Sequence, residues 1–150
     1  MSRWISLINQ EGALRSYFPD SEIKRKGDSE IRWTSTVTPT PLSADYNLHL
    51  HYKVGEGARV YVLSPMPLRL AEGKTRLPHV YNHNKQWLCL YYPDYREWNP
   101  SMYYVHTLIP WACEWLMHYE LWVGTGDWTG GGIEHEEAEK DRTDDQALGK

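Results

Sequence analysis

An α+β fold is predicted by two patterns in the sequence and by their order along it. In YNLHLHYK, Tyr46, Leu48, Leu50 and Tyr52 alternate with Asn47, His49, His51 and Lys53, the period of two that sends successive side chains to opposite faces of a strand. From Leu108 to Trp122 the apolar residues fall instead at steps of three and four, the spacing that lines one face of a helix. A proline-punctuated stretch holding Cys89 lies between them. The expected order is an N-terminal helix, an antiparallel meander sheet, a cysteine-bearing loop and C-terminal helices.

The first helix is read in MSRWISLINQEGALRSYF, with Trp4, Ile5, Ile8 and Leu14 as its apolar members and no signal-peptide apolar run. Pro19 and Asp20 stop it. A polar stretch through Gly27 and Asp28 follows, where Lys24, Arg25 and Lys26 read as a solvated loop. In EIRWTSTVTPT, Ile31, Trp33, Ser35 and Val37 alternate with Arg32, Thr34, Thr36 and Thr38, a threonine-rich strand closed by Pro39 and Pro41. YNLHLHYK is the second strand, Gly55 and Gly57 turn the chain, and ARVYVLSP is the third, ending at Pro65. His49 and His51 share one strand face; with no third ligand evident, they read as solvent-facing rather than as a metal site.

From Ser64 to Pro100 the chain has prolines at 65, 67, 78, 93 and 100 and shows neither period. Long irregular stretches inside a compact domain are commonly functional. The second helical pattern runs from about Tyr103 to Val123, with Leu108, Trp111, Ala112, Trp115, Leu116, Tyr119 and Trp122 as its stripe. Pro110 fits only in a first turn or between two short helices. Cys113, one position off the stripe, reads as a small helix residue, and Gly124 and Gly126 are placed to end the helix. Gly130, Gly131 and Gly132 then precede a charged segment poor in aromatics. Residues 1–133 are expected to form one domain and residues 134–150 an acidic, disordered tail.

Eight Trp and eleven Tyr against one Phe describe a core whose rings carry polar edges that want partners. The net charge of −4 resides in the tail, where seven acids face three bases, and the body before it holds thirteen of each. A neutral body lacks the clustered cations of a nucleic-acid binder. No window approaches the roughly 18 apolar residues of a membrane span. Cys89 and Cys113, the two cysteines, do not suggest a disulfide framework, which points to a reduced, cytoplasmic setting.

The stretch LPHVYNHNKQWLCLYY concentrates reactive side chains. A cysteine becomes a nucleophile when it is accessible and its thiolate is stabilised, since an unperturbed thiol titrates at about 8.5. His79, His83 and Lys85 are candidates for that help. From these residues alone Cys89 reads more readily as a packed cysteine between Leu88 and Leu90 than as a nucleophile. A zinc site with His79 and His83, or a Cys–His hydrolase oriented by Asn82 or Asn84, are further readings.

The order of elements resembles the ubiquitin-conjugating (UBC-like) fold. His79 precedes Cys89 by the interval that separates the histidine of that family's His-Pro-Asn motif from its catalytic cysteine. LCL around Cys89 resembles the family's [IL]CL, and Trp98-Asn99-Pro100 is similar to its W-[ST]-P, shifted by one residue. Val80 and Tyr81 stand where the family has Pro and Asn, so the oxyanion-stabilising asparagine is absent from its position. Tyr81, Asn82, His83 and Asn84 are the alternative donors. LPHVY, LCLYYP, EW, TLIPWACEWLMHYELW and TGDWTGGG together resemble a narrower group, the bacterial ubiquitin-conjugating-like proteins of CBASS antiphage operons, in their short, stand-alone form.

That resemblance implies a transferase. Cys89 would form a thioester with the C-terminus of a cGAS-like nucleotidyltransferase and pass it to an amine, regulating antiphage signalling, with His79 holding the loop. Trp98, Trp128 and Tyr92 are candidates to contact the partner's tail, and Trp87, Tyr91, Tyr92, Tyr95 and Trp98 form an aromatic shell suited to excluding water or, alternatively, to packing the loop on the sheet. No cofactor and no metal are called for. A non-catalytic adaptor of the same fold and a thiol hydrolase that removes the conjugate are the alternatives.

Overall fold

Residues 4–91 and 97–130 are described by a computed structural model of the chain. Tyr92, Tyr95 and the acidic tail lie outside the described residues. Helix α1 (Leu7–Tyr17) begins where the Ser6 hydroxyl accepts the Asn9 amide hydrogen at 3.2 Å, satisfying a donor that the first turn leaves unpaired. That cap corrects the expected apolar face. Trp4 and Ile5 precede the helix, Trp4 and Ile8 are exposed, and the inward residues are Leu7, Gln10 and Leu14. Gln10 is buried because its amide is matched on both sides: Nε2 donates to Met102 O and Oε1 accepts from Tyr104 N, each at 3.1 Å.

Among the described residues, six strands form one antiparallel sheet in the order β1-β2-β3-β4-β6-β5. These are β1 (Glu22–Lys26), β2 (Glu30–Val37), β3 (Tyr46–Lys53), β4 (Gly57–Ser64), β5 (Val80–Asn82) and β6 (Trp87–Leu88). The meander predicted from alternation is β2-β3-β4, and its inward sets are Ile31, Trp33 and Val37, then Tyr46, Leu48, Leu50 and Tyr52, then Ala58, Val60 and Val62. Strand β1 corrects the reading of Lys24, Arg25 and Lys26 as a loop: they pair with Arg32, Ile31 and Glu30 on an edge strand. Only Ile23 of β1 is even partly buried, so the segment has no alternation to read, and its charges discourage further strands from adding there.

His49 and His51 point away from the core but are half-buried rather than fully solvent-facing. Thr34 Oγ1 lies 2.8 Å from His49 Nδ1, and Glu30 lies 2.6 Å from His51 Nε2.

Beyond Pro100 the expected helix resolves into a 3-10 turn, Tyr104–His106, and a single α-helix among the described residues, α2 (Leu108–Thr125). Pro110 lies in its first turn, where a missing N–H costs nothing. Leu108, Ile109, Ala112, Trp115, Leu116, Tyr119 and Trp122 turn inward and share one core with the sheet. Gly124 continues the helix, and Gly126 ends it at φ +83°, its N–H donating to Trp122 O at 2.7 Å. No helix among the described residues is long and apolar enough to cross a membrane.

Candidate functional site

The stretch expected to be irregular contains the β5/β6 hairpin, whose strands of three and two residues are too short to show a period. Val80 faces Leu88 and Asn82 faces Trp87, with a bulge between. The turn at its tip, residues 83–86, is held from inside by Gln86, whose left-handed backbone (φ +54°) carries a buried side chain. Gln86 Nε2 donates to Val62 O at 2.9 Å and Pro65 O at 3.1 Å, while Oε1 accepts from Leu68 N at 2.7 Å. The hairpin is thereby tied to the end of β4.

Cys89 is the first residue beyond β6 and is half-buried. Its amide donates to His79 O at 3.1 Å, one step past the ladder, so backbone bonding fixes the position from which the side chain departs. The same carbonyl accepts Trp115 Nε1 from α2 at 2.9 Å. His79 has a left-handed backbone, φ +48°, a conformation that a side chain with a Cβ adopts only where its surroundings hold it. Its ring stacks on Trp128, with centroids 4.9 Å apart and planes 22° from parallel. Trp128 in turn packs on Trp115 and His118, and its indole Nε1 is buried with no hydrogen-bond partner among the described residues.

The Cys89 thiol lies 4.0 Å from Tyr91 O, and the Tyr81 hydroxyl donates to that carbonyl at 2.6 Å. Of the residues expected to act with Cys89, then, the structure brings His79 and Tyr81 to it. Asn82, His83, Asn84 and Lys85 lie toward the hairpin tip, the end of the ladder away from the cysteine. Asn82 Oδ1 accepts the Lys85 amide hydrogen at 2.8 Å, and Asn84 and Lys85 are exposed. His83 Nδ1 accepts from Leu77 N at 3.0 Å, and burial, followed by nearby Arg76, pushes its basicity below the ordinary imidazole range. Its geometry is that of a loop brace.

Trp98 is buried, its ring against Tyr52, Tyr91 and Tyr104 and its Nε1 donating to Thr107 Oγ1 at 3.1 Å, which makes it part of the core. Trp87 lies on the outer side of the hairpin between Tyr61 and Tyr81, with the Arg59 guanidinium 4.5 Å above its ring. The second cysteine, Cys113, packs against the core, and burial pushes its thiol up, away from ionisation. Among the described residues no group of three or more His, Cys, Asp or Glu is placed to hold a metal ion.

Two contributors escaped the sequence reading. Trp115 registers there as one member of an apolar stripe, although an indole N–H that must be buried implies an acceptor. Gln86 carries no sequence signal, because a glutamine in a polar turn is ordinary and its role depends on carbonyls more than twenty residues earlier. In a comparison with protein-family models, the model described as Type II CBASS E2 protein matches residues 10–136. No curated protein matches the chain.

Proposed function

The chain belongs to the type II CBASS E2 family, and on that premise we propose that Cys89 is the acyl-carrying nucleophile of a conjugating transferase with the ubiquitin-conjugating fold. The observation that carries the reading is the placement of the sulfur. Both cysteines are half-buried, but Cys89 leaves a tied-down hairpin with its amide fixed on His79 O and its thiol 4.0 Å from Tyr91 O, whereas Cys113 sits in a helix with its thiolate disfavoured by burial.

The donor is the C-terminal residue of a cGAS-like nucleotidyltransferase, delivered with its carboxyl already activated. The Cys89 thiolate attacks the carbonyl carbon, a C–S bond forms, and the activating group leaves with its electron pair. An amine then attacks the thioester, an amide forms, the sulfur leaves as thiolate, and the amine's proton passes to a base or to water. His79 holds the loop. Tyr81, whose hydroxyl shares the Tyr91 carbonyl with the thiol, supplies the donor for the developing oxyanion once it turns from that carbonyl.

A binding role without chemistry is the second reading, favoured by one observation: the Tyr81 hydroxyl is already engaged, donating to Tyr91 O at 2.6 Å. Co-expression with the nucleotidyltransferase, non-reducing electrophoresis and mass measurement distinguish the two. Transfer chemistry predicts a thiol-sensitive adduct on Cys89 that Cys89→Ala abolishes and Cys113→Ala preserves. Complex formation indifferent to Cys89→Ala, with no adduct, overturns it in favour of the adaptor. Turnover of a preformed conjugate without its synthesis identifies a hydrolase.

A further inference from the structure

Strands β4 and β6 are paired at a single position, Tyr61 with Trp87, after which the chain through Cys89 diverges from the first half of β4. It is drawn back by the Tyr91 hydroxyl, which donates to Ala58 O at 3.0 Å. The divergence leaves a cavity of about 210 Å³. Its apolar lining comes from Val60, Leu88 and Leu90, and its walls from the rings of Tyr81 and Tyr91. Leu88 and Leu90 are the two neighbours of Cys89 in the chain, and Tyr81 and Tyr91 are the residues whose hydroxyl and carbonyl meet beside its thiol. Small-molecule sites run to about 300–1,000 Å³. This space suits one large side chain.

The rim carries two charges. Glu56 pairs with Lys53 at 3.8 Å, whereas Arg59 makes no ion pair with any described residue and lies over the Trp87 ring. A guanidinium held over an aromatic face by cation–π attraction is restrained in position and retains N–H donors for a planar carboxylate. An apolar recess beside a prearranged guanidinium is complementary to an apolar side chain next to an acidic group on an extended peptide, because alternate pockets read alternate side chains of a strand.

We propose that this cavity is the anchoring subsite for the donor's C-terminal tail: an apolar side chain shortly before the tail's end fills it, and an adjacent carboxylate pairs with Arg59. The assignment deepens the acyl-transfer reading and rests on it for the identity of the partner. It supplies what a reactive sulfur cannot, which is selection of one tail among many carboxyl-terminated chains.

The test uses a fluorescent synthetic peptide of the nucleotidyltransferase's C-terminal tail and the Cys89→Ala protein, so that affinity is read without chemistry. Arg59→Glu is expected to weaken binding at least about tenfold, the scale of one well-formed charge pair, and replacing the peptide's acidic residue by lysine to restore much of the loss. Leu90→Trp, which fills the recess and leaves Arg59 in place, is expected to weaken binding of the same peptide. Unfolding curves for both variants establish that they fold. Failure of the peptide to bind, or binding unchanged by Arg59→Glu, overturns the subsite. With Cys89 intact, an adduct that forms at unaltered rate in Arg59→Glu removes the subsite and leaves acyl transfer standing. Arg59-dependent peptide binding with no adduct removes acyl transfer and leaves the subsite.

Discussion

His83 accepts the Leu77 amide hydrogen through Nδ1, so that nitrogen must be unprotonated for the brace to exist. Burial first, and Arg76 second, hold its pKa below the ordinary 6.5, and burial, with Arg32 and His51 nearby, does the same to His49. As pH falls, the unfolded chain takes up these protons before the native one does. The stability they contribute is complete above the unfolded value of 6.5 and is lost as pH descends toward the lowered native values. A urea midpoint that declines between pH 7.5 and pH 5.5 is the expected result, with a shallower decline in His83→Asn, whose amide oxygen accepts without titrating. An identical slope in that variant places the titration elsewhere. Histidine, cysteine and asparagine in one loop were legible as a concentration of chemistry. Which of them point at the sulfur was not, because that depends on the hairpin register.

The β5/β6 hairpin and α2 meet at one atom, the carbonyl oxygen of His79, which accepts from Cys89 N and from Trp115 Nε1. Trp115→Phe keeps an aromatic ring beside Tyr119 and removes the indole N–H donor together with part of the buried ring. It is expected to cost at least about 1 kcal/mol, the net worth of one such bond before the lost ring volume is added, and to speed hydrogen exchange at the Cys89 amide. Unchanged exchange there means that α2 does not steady the loop. Elements of eight residues or more were readable in advance, since Tyr46–Lys53 and Leu108–Thr125 each repeat their period several times. The hairpin offers too few residues for any period, and β1 offers no apolar face, so both became visible only through their pairing. In α1 the pattern was present but its phase was misread, because a buried glutamine sits where an apolar residue was sought.

One core joins sheet and helices, and its tyrosines and tryptophans are stitched by polar contacts as well as packed. The polar contacts that α2 makes with the rest of the molecule are an example. The Tyr46 hydroxyl donates to Glu120 at 2.6 Å, Ser43 donates to the other carboxylate oxygen at 2.8 Å, and the Tyr119 hydroxyl donates to Arg69 O at 2.6 Å. Tyr46→Phe is expected to lower global stability by about 1.5–3 kcal/mol, as for a hydrogen bond to a charged group. Its effect is to appear in thermal unfolding without the added local effect on Cys89 amide exchange expected of Trp115→Phe; a selective effect on the Cys89 amide contradicts this division. The α+β architecture was legible because long periodic segments determine it, and the family because its sequence segments recur along most of the chain.

The Gln86 side chain knots the end of β4 to Leu68, and His83 takes the amide of Leu77, so the arc from Arg69 to Arg76 is pinned at both feet. Five consecutive residues of that arc, Glu72 to Arg76, are exposed. Insertions can therefore accumulate at its crown for only the entropy of closing a longer loop, about 0.6 kcal/mol per doubling, while Cys89 keeps its address on the far side of the knot.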